Sequence, residues 1–397
     1  GCALAVGVLW SRVLAFVLGT SVCAFACMLT CFILGIGLGS LVCCRVIVGR
    51  LKHPVFALGA VQWAVAGGAL LSIHLLALIG PLDYEIVRRL SPESFGLQAA
   101  VHFLDAAVVM LLPTFLMGFT FPIAVEACTR LSAGISRQVG NVYASNTIGC
   151  VVGSFAAGFV MVPLLGLRNS FLLVVGLQIA LGCTAALLSE KRRSRYVWAV
   201  AAGAVIVFAV HAMRLPHDVF LRTVNTYHYP SKIVYMEDGV TGTVTVHDLP
   251  NDRLIAVDGV NVAGMDLMLR TTQKLQGYVP LLMHERPEKV IQIGFGSGET
   301  SGIGLAFGVE DYRIVEVCPE VFEAGRYFKD INRGSYNDPR LTRVIMDGKN
   351  FIKLSAERFD IIMNDSTYPG TTGSSALYTY DHFLACREHL RDGGVLS

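Results

Sequence analysis

The chain has 397 residues, 53% of them hydrophobic and 16% charged, and a net charge of +2. Soluble domains carry about 25% charged residues, so this composition excludes an ordinary soluble protein over the whole length. The near-neutral balance gives no footing for nucleic-acid binding.

Nine of the eleven cysteines precede residue 190 among apolar neighbours, and only Cys318 and Cys386 come later. No C-x-x-C pair or Cys/His cluster has metal spacing, so the cysteines read as small packing residues and no metal site is expected. The chain opens at Gly1 inside an apolar run and stops at Ser397 just after G-G-V-L-S. That pattern suggests an excerpt of a longer chain, without a recognisable signal peptide.

A bilayer-spanning helix needs roughly 20 consecutive apolar residues. Residues 22–44, 55–80, 100–125, 140–163, 170–189 and 196–213 qualify, and residues 1–20 resemble a seventh span, cut short. Small residues at helical spacing, Gly35, Gly37 and Gly39 and then Gly149 and Gly153, predict close approach of helix backbones. Asp105 and His102 are the notable polar residues, read as interfacial with a cation or proton site as the alternative, and Asn146 is expected to bond across to another helix.

Nine basic residues (Arg45, Arg50, Lys52, Arg130, Arg137, Lys191, Arg192, Arg193 and Arg195) sit in one alternate set of connections, against Arg12, Arg88, Arg89 and Arg168 in the other. The positive-inside rule makes the first set cytoplasmic. If 196–213 spans, residues 214–397 lie on the outer face.

From about residue 231 the pattern changes. K-I-V-Y-M, T-V-T-V and R-L-I-A-V, beside the turns Asp238-Gly239, Pro250-Asn251 and Asp258-Gly259, predict a small antiparallel sheet. After Pro287 the short runs Val290–Ile293, Arg313–Val317, Val344–Met346 and Phe359–Met363 alternate with helical stretches, which implies a parallel, doubly wound sheet. The expected architecture is an all-α multi-pass transmembrane bundle (1–213, about seven spans), a small antiparallel β-sheet (214–262), and an α/β Rossmann-like nucleoside-binding domain (263–397, incomplete at its C-terminus).

The first parallel strand runs into Gly294-Phe295-Gly296-Ser297-Gly298. A glycine turn at a strand's carboxyl end lets a ligand approach the backbone, where open sheets bind ligands. The next strand ends in Glu316, 20 residues after Gly296 and suited to accept both ribose hydroxyls. Asp347-Gly348 comes after the third strand, placed for an adenine amino group, and Asn364-Asp365-Ser366 after the fourth. Four polar features at successive strand ends read as one site: Gly294, Gly296, Ser297, Gly298, Glu316, Asp347 and Gly348 for the nucleoside, with Asp365 at the same edge.

These motifs carry a resemblance. Residues 254–397 look like the spermidine synthase (aminopropyltransferase) family, which shares the class I methyltransferase fold. V-D-G (Val257–Gly259) is similar to its L-D-G, V-P-L-L (Val279–Leu282) to its segment before the first strand, and L-Y-T (Leu377–Thr379) to the element closing its gate loop. G-F-G-S-G stands where the family has G-G-G-D-G. L-W-S-R (Leu9–Arg12), P-T-F-L-M-G (Pro113–Gly118), G-N-V-Y-A-S-N-T-I-G (Gly140–Gly149) and G-F-V-M-V-P-L-L-G (Gly158–Gly166) resemble bacterial membrane-fused homologues.

The resemblance implies a bacterial inner-membrane enzyme that moves the aminopropyl group of decarboxylated S-adenosylmethionine to an amine and releases methylthioadenosine. It also implies no tightly bound cofactor, a small-molecule amine and the lipid bilayer as partners, and a homodimer. Asp365 corresponds to the family's catalytic Asp, Glu316 to its ribose-binding acid and Asp347 to its adenine contact. Tyr368, Tyr378 and Asp381 are acceptor-site candidates, and 369–375 is a candidate lid.

The departures are specific. Ser297 replaces the Asp that contacts the aminopropyl amine, Tyr368 replaces the second acid of D-x-x-D, and Thr272-Gln273 replace a tyrosine and histidine. Two buried ammonium groups need paired carboxylates, so a diamine acceptor loses its support. A methyltransferase using intact S-adenosylmethionine and a transporter or sensor with a nucleoside-binding domain are the alternatives; the retained Asp365 argues against pure binding.

Overall fold

The computed structural model describes residues 1–90, 94–131, 135–189, 191, 194–222, 231–365 and 374–397. The chain divides into two compact units, one of residues 1–18 and 23–228, which is helical, and one of residues 19–22 and 229–397, which holds the α/β fold.

The helical unit runs α1 (Cys2–Leu18), α2 (Val22–Val42), α3 (Pro54–Leu90), α4 (Phe95–Gly118), α5 (Thr120–Leu131), α6 (Ile135–Phe155), α7 (Val162–Leu188) and α8 (Arg195–Arg214). π-helical stretches extend α2 through Cys43–Ile47 and join α6 to α7 through Ala156–Met161. Among the described residues, five continuous helical stretches are long and apolar enough to cross a membrane; one of them, Ser136–Leu188, is broken at Gly166, where φ is 76°. The run 100–125 divides between α4 and α5 at Phe119, a break that its apolar composition hides.

Glycine sets the helix spacing. A Cβ on Gly35 would sit 2.0 Å from Thr114 Oγ1, and one on Gly39 would sit 2.0 Å from the Phe115 carbonyl, so α2 and α4 touch backbone to backbone. Gly37 faces open space. Gly149 and Gly153 both face Gly1. Apolar side chains such as Phe25, Ile33, Phe159 and Ile206 cover the outside. Asp105 is turned into the interior at 3% exposure. Asn146, expected to bond across helices, lies on an exposed face and pairs along its own helix with Cys150 Sγ.

The α/β unit begins with an antiparallel meander, β1 (Lys232–Asp238), β2 (Thr243–Leu249), β3 (Asp252–Val257) and β4 (Val260–Gly264). The β3–β4 turn carries Asp258 at φ 49° and Gly259 at φ 78°, the left-handed pair that a two-residue hairpin requires. β4 is a fourth strand that the sequence pattern did not show.

Helix α9 (Leu267–Met283), capped by the Asp266 carboxylate, leads into a parallel sheet of β5 (Lys289–Ile293), β6 (Asp311–Glu316), β7 (Leu341–Ile345), β8 (Phe359–Asn364) and β9 (Leu390–Leu396). The order is β7-β6-β5-β8-β9, with every pairing parallel. Helices α10 (Glu299–Ala306), α11 (Pro319–Ala324), α12 (Lys329–Asn332), α13 (Gly348–Leu354) and α14 (Tyr380–Glu388) form the crossovers.

Alternation along each strand divides the core. Val290, Tyr312, Ile314, Ile361 and Met363 pack on one face, and Ile291, Ile293, Val315, Phe359 and Ile362 on the other. The order reverses between β5 and β8, and ligands bind outside the strand ends at such a switch point.

Candidate active site

The carboxyl end of β5 enters a turn in which Gly294, Gly296 and Gly298 have φ of 95°, 55° and 79°, angles that L side chains rarely adopt. Glu316, at the tip of neighbouring β6, holds this turn. Its Oε2 accepts from the Phe295 N–H at 3.0 Å and its Oε1 from the Cys318 N–H at 2.9 Å. The Val317 N–H also bonds this carboxylate. Burial raises its pKa, and the backbone N–H bonds oppose that rise.

Asp347 comes just after β7 and caps α13, its Oδ1 accepting from the Asn350 N–H at 2.9 Å. Gly348 has to be glycine on packing grounds, since a Cβ there would meet Ile293 Cγ2 at 2.3 Å. Asp365, just after β8, accepts from Gln292 Nε2 at 2.9 Å. Burial pushes its carboxyl up to about 7, opposed by hydrogen bonds from Thr300, Gln292 and Gln276 and assisted by the charge on Glu316.

Gly294, Gly296, Glu316, Asp347, Gly348 and Asp365 line one cavity. Of the residues expected there from sequence, Ser297 and Gly298 lie outside that lining. Ser297 is fully buried and its hydroxyl donates to Gln273 Oε1, because the turn points its side chain back under α9. Gly298 serves as the left-handed cap of α10, packed on the Phe295 ring. Tyr378 and Asp381 are likewise outside it: Leu377 is the side chain that this segment turns inward, while Tyr378 and Asp381 are exposed. Asn364 bonds to the Leu377 carbonyl and to His382. Ser366, Tyr368 and residues 369–373 of the lid candidate lie outside the described residues; Ser374, at its end, lines the cavity.

Two further residues line the cavity that were not among the expected site residues, although the resemblance marks both positions. Gln273 is 7% exposed and fixed by the Gly264 and Leu269 carbonyls. Asp258, in the V-D-G turn, accepts from the Thr243 N–H at 2.8 Å.

Comparison with known proteins points one way. Residues 271–397 match the family described as the spermine/spermidine synthase domain. The polyamine aminopropyltransferase of Pectobacterium atrosepticum is 36% identical over 152 residues, which cover 36% of this chain and 50% of that protein. That of Yersinia pseudotuberculosis serotype O:1b is 31% identical over 179 residues, 43% of this chain and 57% of the relative.

Among solved structures, a spermidine synthase in complex with the transition state analogue AdoDATO aligns at 29% identity and a TM-score of 0.39, over 42% of this chain and 57% of the other. The Thermotoga maritima spermidine synthase aligns at 27% identity and a TM-score of 0.36, over 42% and 55%. The chain spans about half the length of the curated relatives it matches. Over residues 271–397 the chain matches the spermine/spermidine synthase domain, and its α/β unit is similar in sequence to polyamine aminopropyltransferases.

Proposed function

We propose that the α/β unit transfers the aminopropyl group of decarboxylated S-adenosylmethionine to an amine, and that the helical unit anchors it in a membrane. The observation that carries this reading is the convergence of Glu316, Asp347 and Asp365, from three strand ends, on one cavity around the glycine turn. Glu316, lining the cavity beside the glycine turn, is placed for the ribose hydroxyls, and Asp347 stands one strand further out for the adenine amino group.

The acceptor nitrogen attacks the aminopropyl carbon next to the sulfonium. A C–N bond forms, the C–S bond breaks with its electron pair going to sulfur, and methylthioadenosine leaves. An alkylammonium has a pKa of about 10, so the nucleophile must first shed a proton. Asp365, with a pKa raised to about 7, is a carboxylate close to the pH where a general base works well.

The end of the cavity at Gln273 is neutral, because Ser297 and Gln273 bond to each other where the family pattern has an acid. That leaves the aminopropyl amine of the cosubstrate without the carboxylate partner that the family pattern gives it. It also favours, as a second reading, methyl transfer from intact S-adenosylmethionine, whose amino-acid end carries both charges.

The test is to incubate the purified full chain separately with decarboxylated and intact S-adenosylmethionine and a panel of amines. Methylthioadenosine released from the decarboxylated form, lost in Asp365→Asn while methylthioadenosine binding persists, is the expected result. S-adenosylhomocysteine formed from the intact form alone would replace it with the second reading.

A further inference from the structure

A glutamine stands in the middle of the central parallel strand. β5 reads K-V-I-Q-I, and Gln292 is fully buried where a strand covered on both faces is ordinarily apolar throughout. A buried amide is costly unless its groups are bonded. Here they are. Nε2 donates to the Gly294 carbonyl at 2.8 Å and to Asp365 Oδ2 at 2.9 Å, and Oε1 accepts from the Tyr312 hydroxyl at 2.8 Å.

Register explains the contact. Gln292 pairs with Met363 on β8, two residues before Asp365, and Tyr312 lies on the adjacent β6, so alternation puts all of these side chains on one face of the sheet.

We infer that Tyr312 and Gln292 form a buried relay that sets the direction of the Asp365 carboxylate, with Gln292 a positioning residue for the proposed proton transfer. This rests on Asp365 being the base of the proposed reaction. The relay has a direction. Tyr312 is wholly buried and keeps its proton, since burial and the nearby Asp365 charge push its pKa well up. Its other neighbour is Met363 Sδ at 3.6 Å, a weak acceptor, so the hydroxyl hydrogen goes to Gln292 Oε1.

That choice fixes the amide. With Oε1 held by Tyr312, Nε2 must face Asp365; the flipped amide would set its oxygen against a carboxylate and a carbonyl. The same Nε2 group clips the Gly294 carbonyl, so one side chain ties the glycine turn to the carboxylate. Thr300 on α10, whose hydroxyl donates to the Gln273 carbonyl, and Gln276 on α9 are the other polar side chains beside Asp365, and Glu316 is the charged group facing it.

The experiment uses the full chain in lipid nanodiscs. The Asp365 carboxyl stretch is assigned in the infrared spectrum by its loss in Asp365→Asn, and its titration midpoint is compared between wild type, Gln292→Met and Tyr312→Phe. Gln292→Met, which conserves volume, is expected to raise the midpoint by about one pH unit, through loss of a hydrogen bond to the charged form. Tyr312→Phe is expected to raise it by roughly half as much. Turnover at pH 7 should fall about tenfold in Gln292→Met, with KM for the nucleoside within about twofold and the acid limb of the rate profile moving with the infrared midpoint.

An unmoved midpoint in Gln292→Met that still binds methylthioadenosine would overturn the relay. If Gln292→Met does not fold, Tyr312→Phe decides the question, because it removes one oxygen and keeps the ring: an unmoved midpoint there overturns the relay too. Wild type that titrates but transfers nothing would refute the proposed reaction instead, and the infrared midpoints would still decide the relay.

Discussion

Replacing Asp365 by Asn should stabilise the α/β unit at alkaline pH while removing its chemistry. Its pKa is raised to about 7 in the folded protein, chiefly by burial, against roughly 3.9 for an unperturbed Asp. A raised pKa means that folding favours the protonated form. The penalty on the native state is therefore absent below about pH 4, grows as pH rises, and is complete above about pH 7.

Three pH units at about 1.36 kcal/mol each set a ceiling near 4 kcal/mol. Asp365 is half-buried, ringed by protein but open to the cavity, so water moderates the penalty to about 2–3 kcal/mol. Asn keeps the oxygen that Gln292 Nε2 addresses and carries no charge. Hydrogen exchange of β5 and β8 peptides in the full chain, corrected for intrinsic rates, should slow about 30- to 100-fold at pH 8 in the variant and be unchanged at pH 4. Equal effects at both pH values, or no slowing at pH 8, would refute the assignment of a raised pKa to this carboxyl.

Two other substitutions have distinct signatures. Gly348→Ala drives a Cβ to 2.3 Å from Ile293 Cγ2, so β5 must shift; a loss of about 1–3 kcal/mol in the same exchange measurement and weaker methylthioadenosine binding by calorimetry are expected. Glu357, at 40% side-chain exposure, is held down at about 2 by Arg313 and Lys289. A lowered carboxylate pKa stabilises the fold above the unfolded value of about 4.3, and that stability disappears as pH falls towards 2. Glu357→Gln should therefore cost no more than about 1 kcal/mol at pH 7, less in high salt, and nothing at pH 2, read by the same exchange.

The site was legible in the sequence because strand ends are. The glycine turn, Glu316, Asp347 and Asp365 each sit at the carboxyl end of an apolar run, and a doubly wound sheet brings such ends together whatever lies between them. What stayed hidden depends on register. Gln292 reads as a stray polar residue in K-V-I-Q-I until β5 is aligned with β6 and β8, because its partners Tyr312 and Asp365 are 20 and 73 residues away. Ser297 looked like a ligand contact because it sits inside the glycine turn; the φ angles of its neighbours instead send its hydroxyl to Gln273. The division between α4 and α5 was hidden because the apolar run continues past Phe119 to Val125 before the polar residues of α5 begin.

Which side of the membrane the α/β unit occupies depends on α8. By the positive-inside rule, the nine basic residues of one set of loops are expected on the cytoplasmic side. From there α8, 20 residues from Arg195 to Arg214, is long enough to cross. Cosubstrate supply argues the other way, since sulfonium nucleosides are made inside cells, and a helix lying along the interface would return the unit to the cytoplasm. Most of α8 is exposed, and its polar contacts lie at its far end: Arg168 of α7 donates to the Ala212 and Leu215 carbonyls, and His211 stands 3.1 Å from His74 of α3. A crossing helix and an interfacial one can both make such end contacts, so length and loop charge, not packing, are what favour crossing. With Asn251→Cys at the exposed β2–β3 turn as the single cysteine, a membrane-impermeant maleimide should label intact cells. With Lys52→Cys instead, it should label only after lysis. Asn251→Cys labelled only after lysis would place the unit inside and make α8 an interfacial helix.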